Sequence, residues 1–220
     1  MKNAQRQFSK STLVERASDL LKNKTSKTII EVATDHFVRF GYRKTSITEI
    51  ALASGVGKGS IYLHFENKED LLISCIAIEK LALLTKLKTI DKHQEQDQLF
   101  NFLQIILDFC LTAPLSKALI SRHSEFASIA LSVRDNIKDE QEKFSDYLKE
   151  QVILPLNPDL DDDQLNAIKA ALDMVFLAVG YLPDVAFTSS YYQEFSKAEF
   201  VKTLALLLCQ GIIKTKSTNK

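Results

Sequence analysis

The chain is predicted to be all-α, and three observations say so. Only 6 glycines and 4 prolines occur in 220 residues, too few for the turns of a sandwich or barrel. Apolar residues recur at helical spacing along most of the sequence. Pro114, Pro155, Pro158 and Pro183 fall at or near the ends of those patterns, where helix breakers belong.

Residues 1–25 are polar and basic. They read as a flexible arm with a helical piece around Leu13–Leu21, either disordered or adding contacts to phosphates. A first helix is expected from about Ser26 to Phe40, with Ile29, Ile30, Ala33, Phe37 and Phe40 on one face and Gly41 ending it. The second helix opens at Ser46, because Ser46 and Glu49 have capping-box spacing. It stops at Ser54-Gly55, where glycine tolerates a positive φ. A third short helix covers about Gly57–Leu63. A fourth begins with Asn67 as N-cap and Glu69 and Asp70 in its first turn, and runs towards Lys88. Two short helices joined by a glycine turn form the layout of a helix-turn-helix, whose second helix enters a DNA major groove.

DKHQEQDQ (91–98) is a polar break and the best candidate for a domain boundary. Beyond it, helices are expected at about 98–112, 115–131, 133–154, 162–182 and 197–214. Asp161-Asp162-Asp163 sits at a helix start, which suits capping better than metal binding. The last two helices are apolar nearly all round. One stripe holds Ile168, Ala171, Leu172, Val175, Phe176 and Val179, and a second holds Ala167, Ala170, Met174, Leu177 and Ala178. Phe200, Val201, Leu204, Leu207, Leu208, Ile212 and Ile213 give the final helix similar girth. Such helices bury more than one side, either wholly within the chain or against a partner subunit.

The net charge is zero, but it is polarised. Residues 1–68 hold 12 Lys/Arg against 6 Asp/Glu, a balance of +6, and the remainder holds 16 against 22, a balance of −6. The basic part coincides with the helix-turn-helix, as contact with phosphates requires. Cys75, Cys110 and Cys209 are widely spaced within apolar runs, which fits buried thiols in a reducing compartment. No signal-peptide pattern and no stretch long enough for a membrane span is read, so a cytoplasmic protein is expected. His36, His93 and His123 have no metal-ligating companions at short spacing. No G-x-S-x-G, metal-spaced set or phosphate loop is found, so no enzyme, metal or cofactor is expected.

Chemistry assigns the DNA-contact candidates. Gly57 and Gly59 let the third helix approach DNA closely, and Lys58 and Ser60 lie at its start. Tyr62, His64 and Lys68 can donate to phosphate oxygens, and Arg43, Lys44, Thr45 and Ser46 flank the second helix. Bland alternatives stand beside these: Tyr62 as a half-buried core aromatic, His64 as a cap, and Lys44 and Lys58 as plain solvated charges. Phe65 is expected in the core.

The segment from Ile29 to Leu72 resembles the DNA-binding domain of the TetR/AcrR family of bacterial transcriptional regulators. The resemblance lies in FxxxGYxxTS (Phe37, Gly41, Thr45, Ser46), xxIAxxxGV (Ile50, Ala51, Gly55, Val56) and KGSIYLHFxNKEDLL (Lys58–Leu72). It covers about a fifth of the chain. It implies an N-terminal three-helix DNA-binding domain and a C-terminal helical ligand-binding and dimerisation domain. The implied division is an arm (1–25), a reader (26–72) and an effector domain (73–220) with helix 73–88 as connector. It also implies a homodimer that leaves a palindromic operator in double-stranded DNA when an unknown small-molecule effector binds. The dimer interface would use Ala171, Val175, Ala178, Leu204, Leu207 and Leu208. The ligand candidates are Phe102, Phe109, Cys110, Arg122, His123, Phe126, Met174 and Tyr181, although aromatics at helical spacing are more often core. The other reading is a chromosome-organisation or division factor of this fold, controlled by a protein partner. Two departures stand out: Leu63 replaces a common second aromatic, and Gly57 replaces a Ser or Thr cap at a cost of a few tenths of a kcal/mol. Together they predict a base preference narrower or weaker than usual.

Overall fold

The computed structural model describes residues 13–90, 95–121, 149–156, 158–182 and 196–214, and all regular structure among them is helical. The helices are α1 (Leu13–Lys22), α2 (Lys24–Lys44), α3 (Ile47–Ala53), α4 (Lys58–His64), α5 (Lys68–Leu87), α6 (Glu95–Thr112), α7 (Pro114–Ser121), α8 (Asp162–Gly180) and α9 (Lys197–Lys214). A short helical stretch, Lys149–Ile153 running into Leu154–Leu156, precedes α8. The described residues divide into two units. One holds residues up to Ala82 together with α7, and the other holds Leu83–Ala113 and everything from Lys149 onward.

The first unit is assembled by local caps. Asn23 accepts the amides of Thr25 (2.9 Å) and Ser26 (3.1 Å), which starts α2. The helical piece expected around Leu13–Leu21 is present as α1, and with Ala17 only 1% exposed it is packed rather than a loose arm. Along α2, Ile29, Ile30, Ala33 and Phe37 are buried as expected, but Phe40 is 51% exposed. Its ring packs edge-on against His36 at 5.4 Å instead, and Gly41, at φ 79, ψ 169, then breaks the helix one turn before its end. After the break, Tyr42 turns back and stacks on Phe37 at 5.9 Å.

Ser46 and Glu49 form the anticipated capping box at α3, with Ser46 N–H donating to Glu49 Oε2 at 2.9 Å and Glu49 N–H to Ser46 Oγ at 3.2 Å. Bonds from the Ser46 hydroxyl (2.8 Å) and the Ser46 amide hold the Glu49 carboxyl below its ordinary pKa. Gly55 takes φ 68 at the turn, and α4 then packs on α3 and α2 through the fully buried Ile61. Phe65 joins this core, as do the buried residues from Leu71 to Ile76 on α5. The carboxylate of Glu79 caps α7, accepting the amides of Leu115 (2.7 Å) and Ser116 (2.8 Å), and Leu115 enters the same core.

The second unit is organised around α6. Leu99, Phe102, Leu103, Ile106 and Leu107 face α8, α9 and the 149–156 stretch. Asp161 caps α8 in a capping box with Gln164, which confirms the structural reading of the acidic cluster. Each long C-terminal helix buries a single stripe: Leu165, Leu172 and Val179 on α8, and Val201, Ala205, Cys209 and Ile212 on α9. Burial pushes the Cys75 thiol up to about 12 and those of Cys110 and Cys209 up to about 11, so all three stay protonated. No helix of the described residues is long and apolar enough to cross a membrane.

Candidate nucleic-acid interface

The outer surface of the first unit gathers most of the expected contact residues. Arg43 and Lys44 are exposed at the C-terminus of α2, and Lys58 is exposed at the start of α4. Tyr62 is 48% exposed on the same short helix. Ser60 and His64 are half-buried. Gly57 and Gly59 need no glycine for the chain's own sake. Gly57 has φ −69, a Cβ on it would come no nearer than 4.0 Å to Ser60 Oγ, and one on Gly59 would meet nothing. What their missing side chains allow is close approach from outside.

Two expected contacts have other work. Thr45 is 2% exposed, and its hydroxyl donates to the carbonyls of Gly41 (2.7 Å) and His36 (3.1 Å). These bonds keep the hydroxyl against the end of α2, so Thr45 cannot present its side chain to DNA. Ser46 is half-buried and its hydroxyl is held in the capping box.

Lys68 was expected to reach a phosphate. Its ammonium instead donates to the carbonyls of Tyr42 (2.9 Å) and Thr45 (3.0 Å) and lies 4.2 Å above the Tyr42 ring. It caps the carbonyl end of α2, where a cation is favoured by the helix dipole. Burial depresses its pKa, and burial chiefly raises that of Tyr42. Lys68→Met keeps the stem but loses both charged hydrogen bonds, so stability should fall by about 1.5–3 kcal/mol. The salt dependence of DNA binding by the folded protein should stay unchanged. A slope reduced by about 1 would restore the phosphate role.

Sequence reading missed one pairing. The Arg16 guanidinium donates to both carboxylate oxygens of Asp70, at 2.5 and 2.7 Å, and so fastens α1 to the start of α5. Asp70 also accepts the amide of Glu66 at 2.9 Å. The hydrogen bonds to Asp70 raise the Arg16 pKa. The partners stand 54 residues apart, and no local pattern announces such a pair. Arg16 is thus a clamp within the unit.

The ligand candidates among the described residues do not converge. Phe102 is fully buried in the α6 core, and Phe109 and Cys110 are half-buried against it. Met174 (68% exposed) and Tyr181 (49%) point outward, in line with Ala171 and Ala178. Helical spacing puts these residues on one stripe opposite the buried one, so Met174 and Tyr181 belong with the outer face of α8. Arg122, His123 and Phe126 lie outside the described residues. Of the dimer candidates, Ala171, Ala178 and Leu207 are exposed, and Val175, Leu204 and Leu208 are half-buried. Among the described residues no group of His, Cys, Asp or Glu could hold a metal.

Comparison with known proteins agrees with this geometry. Residues 29–75 match the family described as bacterial regulatory proteins, tetR family. The uncharacterized HTH-type transcriptional regulator YhgD of Bacillus subtilis (strain 168) is 30% identical over 149 residues, 61% of this chain and 74% of that protein. The HTH-type transcriptional regulator QacR of Staphylococcus aureus is 29% identical over 102 residues, 44% of this chain and 53% of that protein. In fold, the chain is similar to FadR of Bacillus subtilis, solved in complex with stearoyl-CoA. The TM-score is 0.62 at 16% identity, covering 84% of this chain and 98% of that one. With its N-terminal helix-turn-helix and its C-terminal helices, the chain belongs to the tetR family of bacterial regulatory proteins and is a DNA-binding transcriptional regulator.

Proposed function

We propose that this regulator is a repressor that binds a palindromic operator as a homodimer and lets go when a small, largely apolar ligand binds. The observation that carries the DNA half is α4, a short helix opened by two glycines whose missing side chains serve nothing inside the chain, with Lys58 exposed between them. Arg43 and Lys44 supply further positive charge at the end of α2. In a dimer with recognition helices about 34–36 Å apart, successive major grooves would be read together. The ligand would act by preferring a differently spaced state and depleting the DNA-competent one. α5 suits the connecting role, because one continuous helix contributes Lys68–Ala82 to the first unit and Leu83–Leu87 to the second.

The relatives are named as transcriptional regulators, so control of chromosome organisation by a protein partner is set aside. The similar FadR was solved with stearoyl-CoA, which makes a long-chain acyl-CoA the first effector to try. Operator selection from random DNA with the purified protein tests the reading directly. It should return an inverted repeat, and a result without sequence preference would refute it. Against that operator, Lys58→Ala should weaken binding and lower the salt slope by about 1 per subunit. Affinity and slope equal to the unaltered protein's would remove Lys58 from the interface.

A further inference from the structure

We propose that Leu63 reads thymine, its isobutyl group resting on the 5-methyl of one thymine in each operator half-site. The proposal rests on the DNA-reading role of α4 and names what one side chain of that helix recognises.

Ile61 is fully buried and fixes which way α4 faces the core. At about 100° per residue, Gly59 and Leu63 fall together on the opposite ridge, with Ser60 to one side and Tyr62 to the other. Exposure agrees with that geometry: Leu63 is 83% exposed, Tyr62 48%, and Ser60 is half-buried. A Cβ on Gly59 would meet nothing within 4 Å. The outermost line of the helix is thus bare backbone followed, one turn on, by a protruding leucine. The backbone can come close, and the leucine is then the side chain that reaches furthest into whatever α4 enters.

Leucine can neither donate nor accept a hydrogen bond. Among the base edges of the major groove, the apolar group on offer is the thymine 5-methyl. The exposed cations Lys58, Arg43 and Lys44 lie on the same unit and suit the phosphates that flank a groove. Exposure alone would not single out Leu63, because Leu52 on α3 is 84% exposed. But α3 is the first helix of the motif, which crosses the backbone rather than entering the groove. Leu52 is therefore the control: the same side chain, equally exposed, on the helix that does not read bases. The departure at Leu63 from the family's common aromatic is then an exchange of one contact for another.

The test is a deoxyuridine scan of the selected operator with the full-length protein, replacing each thymine symmetrically in both half-sites. Deoxyuridine removes the methyl and leaves base pairing intact. Burial of one methyl-sized group changes affinity about 4-fold, so two should give about 15-fold. At one thymine position, deoxyuridine should weaken binding by about that factor for the unaltered protein and for Leu52→Ala. For Leu63→Ala the loss there should be under about 2-fold. Absence of any thymine whose methyl matters would overturn the proposal, as would a penalty that persists in Leu63→Ala. If selection yields no preferred sequence, the operator-reading function itself fails and takes this proposal with it. The scan of the unaltered protein needs no variant, and substitution at so exposed a position leaves the core untouched.

Discussion

Gly41→Ala should destabilise the first unit by about 2–3 kcal/mol, several times the effect of an ordinary surface substitution. At φ 79, ψ 169, Gly41 occupies a region that only glycine enters readily, and residues forced into it cost roughly 1–3 kcal/mol. The position is also buried, so the chain has little room to relax around a methyl group. Its carbonyl is the hub of the α2–α3 connection, accepting the Thr45 amide at 3.3 Å and the Thr45 hydroxyl at 2.7 Å. A shift there would disturb the two carbonyls that Lys68 holds and the placement of Arg43 and Lys44. Gly55→Ala is the comparison, since Gly55 has φ 68 with open space around it and should cost only about 1–2 kcal/mol. Urea unfolding of both variants checks the order. A Gly41→Ala penalty no larger than that of Gly55→Ala would contradict the account.

What could be read in advance follows from the range of the forces involved. The capping box at Ser46 and the caps at Asp161 and Asn67 are contacts between residues three apart, so local spacing announces them. The limits of α9 and the start of α8 followed from the same local signals and from periodicity. Phe40 went astray because periodicity gives the face on which a residue lies but not how far along the helix the core extends, and here the core stops at Phe37. Thr45 and Lys68 look like phosphate contacts by composition and charge. Only the fold brings the carbonyls of His36, Gly41 and Tyr42 within their reach. Arg16 shows the same limit at greater distance, since its clamp on Asp70 exists only once α1 and α5 have met. Met174 and Tyr181 resemble pocket residues in a list of apolar side chains. Which stripe of α8 faces α6 was settled by Leu165, Leu172 and Val179, and that choice turned both outward.

Leu207→Asp should turn the proposed dimer into monomers and abolish tight operator binding. In the second unit, Met174 and Leu177 on α8, Tyr181 just after it, and Leu206 and Leu207 on α9 are all 44–68% exposed. The stripes that α8 and α9 bury against the α6 core are made of other residues, from Leu165 to Val179 and from Val201 to Ile212. The apolar faces that remain are of the kind that monomers avoid and interfaces use. In a two-fold dimer every substitution occurs twice at one interface. An unpaired carboxylate buried there at about 3 kcal/mol each would raise the dimer dissociation constant by roughly 10⁴-fold. Operator affinity would then fall to that of a single half-site. Leu207 is already 61% exposed in the single chain, so the variant should keep its helical content and unfold as before, apart from losing any dependence on protein concentration. Leu52→Asp, at a still more exposed leucine in the first unit, should remain dimeric. Sedimentation at micromolar concentration decides the matter: a Leu207→Asp dimer as stable as the unaltered protein would place the interface elsewhere.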